Sequence, residues 1–170
     1  MKANDPRINT QELNLTSDNA FIATPGSDFE LNIQPFLSGL DAKKKTVVIS
    51  DEYFFPTPSK GGDATYYQKL IKLLLSLKCQ RIVYTNNPGY PTAYQQVQVA
   101  LAADGIILDN IVTTTPIHDR YWICPESRKG FTTGTSPNGM AGKLSQINWI
   151  PVEDVDKLTT IYKTENVYTE

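Results

Sequence analysis

An α/β fold, with a mixed and mostly parallel sheet flanked by helices on both faces, follows from three observations. Strongly β-branched runs, such as Thr46-Val47-Val48-Ile49, alternate along the chain with stretches whose apolar residues recur at helical spacing. Such alternation implies parallel strands joined by crossover helices. Two late stretches, 116–124 and 131–138, read as the arms of a hairpin, which adds an antiparallel component to the sheet.

The elements follow in order. Residues 1–18 are polar and without periodicity, and read as an irregular arm. Residues 19–24 form a short strand candidate. Ser27 and Glu30 have the spacing of a capping box, which opens a helix carrying Phe29, Ile33, Phe36, Leu37 and Leu40. Pro35 inside that pattern predicts a kink or an early stop, and Gly39 weakens the end further. Residues 45–54 are the strongest strand and suit a central position buried on both faces. Asp63 is the expected N-cap of a helix that places Tyr66, Leu70, Leu73, Leu74 and Leu77 on one side. A strand follows over 81–85. The turn-rich Asn86-Asn87-Pro88-Gly89-Tyr90-Pro91 leads to a helix capped by Thr92, with Ala93, Val97, Ala100 and Leu101 inward. Residues 105–115 return as a strand broken near Asp109-Asn110. After the hairpin come a strand over 144–151 and a closing helix over 153–163.

At 170 residues the chain fits one domain over 19–170, preceded by the arm. Hydrophobic residues make up 40% and charged residues 20%, ordinary for a globular protein. A net charge of −2 gives no sign of a strongly basic nucleic-acid binder. Within 116–145, however, Arg120, Arg128, Lys129 and Lys143 face only Asp119 and Glu126, a local positive balance suited to substrate binding. Cys79 and Cys124 make neither a metal motif nor a disulfide framework and read as reduced thiols. The first residues lack the apolar core of a signal peptide, and the longest apolar run, Leu73-Leu74-Leu75, cannot span a bilayer. A cytoplasmic location is the expectation.

The chemistry concentrates in residues 116–138, which hold His118, the single histidine of the chain. Alternation along a strand puts Ile117, Asp119, Tyr121 and Ile123 on one face and His118, Arg120, Trp122 and Cys124 on the other. His118 and Arg120 therefore project side by side. A returning arm brings Gly134, Thr135, Ser136 and Asn138 to the same region. Imidazole can attack phosphorus or act as a general base near neutral pH. A guanidinium holds the spread negative charge of a phosphate or phosphorane, and neutral hydroxyl and amide groups add hydrogen bonds. Asp51 and Glu52, at the end of the strongest strand, could meet a metal ion, but no further carboxylate or histidine motif accompanies them. The Tyr53-Phe54-Phe55 run suits core and dimer contacts.

His118-Asp119-Arg120 followed by Gly134-Thr135-Ser136-Pro137-Asn138 resembles the phospholipase D superfamily. That signature is histidine, any residue, lysine, an aspartate after four more residues, then glycine-serine-any-asparagine. Arg120 stands at the lysine position. Pro125 stands at the aspartate position with Glu126 one step beyond, and Thr135 separates Gly134 from Ser136. The resemblance covers most of the chain and implies one half-domain of that fold. It further implies phosphodiester hydrolysis without metal or cofactor, through a phosphohistidine on His118, with Arg120, Ser136 and Asn138 catalytic and Thr135 and Glu126 in support. The chemistry uses two histidines, so a chain with one implies a homodimer that shares its site. Nucleic acid is the expected substrate class. A dimer with a decayed site that binds nucleic acid or acts as a scaffold stays open, as does hydrolysis or transfer of phospholipid.

Overall fold

The computed structural model describes residues 28–140 and 145–169, together with the backbone of 20–23. The predicted arm over 1–18 and the side chain of Lys143 lie outside these residues.

Seven strands form one sheet, in the order β1-β7-β6-β5-β2-β3-β4. The strands are β1 (Ala20–Ala23), β2 (Thr46–Ser50), β3 (Arg81–Tyr84), β4 (Ile107–Asn110), β5 (Arg120–Cys124), β6 (Lys129–Thr133) and β7 (Ser145–Trp149). The helices are α1 (Phe29–Gly39), α2 (Ala64–Ser76), α3 (Pro91–Ala103), the single turn α4 (Pro137–Met140) and α5 (Val152–Thr164). The sheet is mixed, as the sequence implies, but the balance differs. Only β2–β3 and β3–β4 are parallel, and the other four pairings are antiparallel. The crossover helices α2 and α3 enforce parallel pairing in one half. In the other half the tight β5–β6 link, with Arg128 at φ 53, reverses the chain.

The local chemistry accounts for the element ends. Asp63 caps α2 by accepting the Tyr66 backbone N–H at 2.8 Å. Asp28 caps α1, and its carboxylate also pairs with Lys69 at 2.9 Å; Ser27, of the expected capping box, lies outside the described residues. Pro35 lies inside α1 without ending it, while Gly39 closes the helix against Trp149, whose ring would meet a Cβ there at 2.5 Å. α3 starts one residue before the expected cap, because Pro91 has its φ preset for the first helical position. β2 stops at Ser50, four residues early, since Asp51 turns the chain: its carbonyl accepts the Phe54 N–H. β4 stops at Asn110, and 111–119 is an irregular connection rather than more strand. Accordingly β5 begins at Arg120 and not at Pro116.

The two faces of the sheet are covered unequally. α1, α2 and α3 bury the larger core with Val47, Ile49, Ile82, Tyr84, Trp122 and Phe131. α5 and the chain after it cover Val48, Val83 and Ile123 with Tyr162, Val167 and Tyr168. The predicted alternation in β5 holds: Trp122 and Cys124 enter the first core, and Tyr121 and Ile123 meet the second. Trp122 stacks on Phe131 of the paired strand at 5.6 Å between centroids, which fixes the hairpin. Truncating either ring to alanine is expected to cost about 3–5 kcal/mol.

Candidate active site

All the strand ends that carry the candidate chemistry meet at one edge of the sheet. They are the C-terminal ends of β2, β3, β4 and β6 and the N-terminal end of the antiparallel β5. An open cleft of about 840 Å³ lies there, and its lining includes His118, Arg120, Thr135, Ser136 and Asn138. This is the edge where open α/β sheets bind ligands. The hairpin thus brings the two halves of the sequence motif together although about fifteen residues separate them.

Register explains the arrangement. Ile49, Trp122 and Phe131 form one row across β2, β5 and β6. Two residues further along, Arg120 pairs with Thr133, and continuing the register puts Asp51 opposite Arg120. Asp51 is 1% exposed. Its Oδ1 accepts the Ser136 hydroxyl and the Tyr53 N–H at 3.0 Å, and lies 3.5 Å from Arg120 Nε. Arg120 Nε donates to Ser136 Oγ at 3.2 Å, and its Nη1 donates to the Gly134 carbonyl at 3.1 Å. The guanidinium also lies 5.5 Å from the Tyr53 ring centroid. Burial pushes the Asp51 carboxyl up to about 6, against the pull of Ser136, Tyr53 and Arg120.

These bonds revise individual roles. The Ser136 hydroxyl has one proton, and it is donated to Asp51. In this state Ser136 orients Arg120 and has no donor left for a phosphate. Gly134 admits not a ligand but β7: a Cβ there would lie 3.3 Å from the Gln146 nitrogen. Asn138 gives one amide proton to the Lys60 carbonyl at 2.8 Å and keeps the other. Gly61, at φ 90, lets that loop close over Asn138, since a Cβ would approach its Oδ1 to 2.7 Å. His118 is exposed on the irregular 111–119 connection. Glu165, just past α5, anchors that connection by accepting the Thr114 and Thr115 N–H groups at 3.0 and 2.9 Å. The Thr115 hydroxyl and the other Thr114 and Thr115 donors draw the Glu165 carboxyl down to about 2.

Glu126, Arg128 and Lys129 are not at the cleft. They lie beyond the C-terminal end of β5, roughly 13 Å of strand away from Arg120. Glu126 accepts the Thr46 N–H at 2.9 Å, and Arg128 pairs with Asp156 on α5. Pro125 is buried at that same far end, so an acid there could not reach Arg120. The carboxylate that does reach it, Asp51, comes from another strand. In the sequence Asp51 has no visible link to Arg120, because 69 residues separate them and only strand pairing brings them together. Lys60, absent from the sequence motif, also lines the cleft. Tyr53, expected in the core or a dimer contact, is half exposed at the rim, while Phe54 and Phe55 are buried. Among the described residues no cluster of three or more His, Cys, Asp or Glu side chains could hold a metal ion. No helix among them is long and apolar enough to cross a membrane.

No protein-family model and no curated protein sequence matches the chain. Among solved structures the fold is similar to that of Nuc, a phospholipase D family member from Salmonella typhimurium. The TM-score is 0.55 at 15% identity, over 88% of this chain and 93% of that one. TrmBL2, an archaeal chromatin protein whose structure shows a novel mode of DNA binding, aligns at TM-score 0.45 and 12% identity. That alignment takes in 91% of this chain, which spans about half, 54%, of the archaeal protein. At such identity the likeness to Nuc concerns the fold: the chain has the architecture of a phospholipase D family member.

Proposed function

We propose that this protein hydrolyses phosphodiesters, with nucleic acid as the substrate class, in a site completed by a second copy of the chain. The observation that carries this reading is the convergence of the single histidine, a fixed arginine and a neutral donor, Asn138, in one open cleft. His118 attacks phosphorus. The bond from phosphorus to the leaving oxygen breaks, and the partner's His118 gives that oxygen its proton. The partner's His118 then takes a proton from water, which attacks the phosphohistidine and releases a phosphate monoester and free His118. Arg120 holds the negative oxygens throughout. Lys60 and the exposed ring of Tyr53 give the rim a cation and a stacking surface for a nucleotide. The fold likeness to Nuc supports the same assignment.

The test is incubation with single- and double-stranded DNA and RNA in EDTA. Cleavage that persists in EDTA and disappears in His118→Ala supports the proposal. A monomer in sedimentation that retains full hydrolysis would remove the shared site.

One observation favours a second reading, in which the protein holds nucleic acid without cutting it. Two edges of Arg120 are bonded inward, and the Ser136 proton is committed to Asp51. Salt-sensitive binding without turnover on any diester would select that reading.

A further inference from the structure

We propose that Asp51 is a positioning residue for this site: its buried carboxylate, directly and through the Ser136 hydroxyl, aims Arg120 at an anion in the cleft. The inference deepens the reading of the cleft as a phosphodiester site and rests on it. Its basis is a chain of contacts across strands. Arg120 Nε meets Ser136 Oγ at 3.2 Å and Asp51 Oδ1 at 3.5 Å, and Ser136 donates to that same Oδ1. The Gly134 carbonyl holds Nη1. Nη2 is left as the group that can turn to an incoming oxyanion.

Burying a carboxylate is costly, so its charge calls for a physical reason. An asparagine at 51 could accept the Tyr53 N–H and the Ser136 hydroxyl equally well. What the carboxylate adds is attraction to Arg120. Asp51 Oδ2 is wholly buried and has no hydrogen-bond partner among the described residues. The charged and titratable groups that face it are few. Arg120 comes from β5, Glu52 is its chain neighbour, Tyr66 approaches from α2, and Tyr84 from β3 donates its hydroxyl to the Asp51 carbonyl. Beside the Ser136 and Tyr53 hydrogen bonds, Arg120 is the charge that favours the carboxylate, and Glu52 opposes it. A guanidinium fixed before the ligand arrives loses less rotamer freedom on binding, which raises affinity. Because burial holds the carboxyl near the neutral range, the fixing charge is present on its alkaline side and fades below it.

The experiment titrates the full chain with sulfate, an anion without ionisation in the neutral range, at several pH values. The Arg120 Nε–H signal is followed by NMR beside diester hydrolysis. Asp51→Asn keeps the shape and removes the charge. It is expected to weaken sulfate binding about tenfold, the scale on which orienting partners act. In a His118→Gln background, which takes the imidazole out of the cleft, it also removes the change in affinity centred near pH 6, and it shifts the Arg120 Nε–H signal. Ser136→Ala, which removes only a hydroxyl, shifts the same signal and covers the case in which Asp51→Asn fails to fold. Sulfate affinity, pH profile and Arg120 signal that match the wild type in Asp51→Asn, or in Ser136→Ala if only that variant folds, overturn the inference even where hydrolysis is intact. So does a wild type that binds no sulfate. A wild type that cleaves no diester, while Asp51→Asn still loses sulfate affinity, sinks the hydrolytic reading and leaves Asp51 in its role.

Discussion

The two ends of the β5–β6 hairpin carry similar residues and different physics. At one end Arg120 meets Asp51; at the other Arg128 meets Asp156. The Arg120 side chain is 24% exposed and that of Asp51 0%, against 61% and 45% for the second pair. The buried carboxyl is pushed up to about 6, whereas the Arg128 hydrogen bond pulls the exposed Asp156 below its ordinary value. An exposed pair is screened by water and salt and contributes little. A buried one is held in a single geometry and is sensitive to every charge near it. A pattern of arginine and acid in the sequence therefore says little until burial is known.

The sharpest way to break this contrast is at the cleft end. His118→Ala is expected to lower diester turnover about a thousandfold, measured as multiple-turnover cleavage in EDTA. Unchanged turnover would mean that the cleft is not the reacting site.

The buried acid comes next, through stability. A carboxyl held at about 6 when folded, against an ordinary 3.8, keeps its proton more tightly in the folded state. Its contribution is full at acid pH and is lost as pH rises through about 6. Relative to Asp51→Asn, the wild type should lose about 3 kcal/mol of unfolding free energy across that interval. Parallel urea curves from pH 4 to pH 7 would refute the raised value.

Arg120→Ala and Arg128→Ala test the two ends against each other. The first should cost about a hundredfold in turnover, as the loss of a charge-stabilising donor does. The second should leave turnover unchanged. Equal losses in a steady-state assay would erase the distinction between the ends. The smallest effect belongs to Glu126→Ala. It removes the acceptor of the Thr46 N–H and should lower stability by about 1 kcal/mol in urea, with turnover intact.

Much of the architecture was legible in the sequence, because short-range rules govern it. The β-branched run of β2, the Asp63 cap and the leucine face of α2 each depend on neighbours a few residues away. Side-chain alternation likewise put Trp122 and Tyr121 in opposite cores. Element ends were less legible. β2, β4 and β5 all proved shorter than their apolar patterns, since turns at Asp51 and over 111–119 serve the cleft rather than the sheet.

By itself the sequence determined that a hairpin joins the Arg120 strand to a polar return, with the single histidine next to it. Those facts depend on local order along the chain, and no partner strand is needed to state them. Only the tertiary structure decided which acid serves the cation. The resemblance to the phospholipase D signature implied an acid at Pro125 or Glu126, yet a strand carries them to the far end of the sheet. Asp51, 69 residues before Arg120, is brought opposite it by the pairing of β2 with β5. Burial then gives that acid its character, because removal from water, and not the identity of the residue, sets its charge.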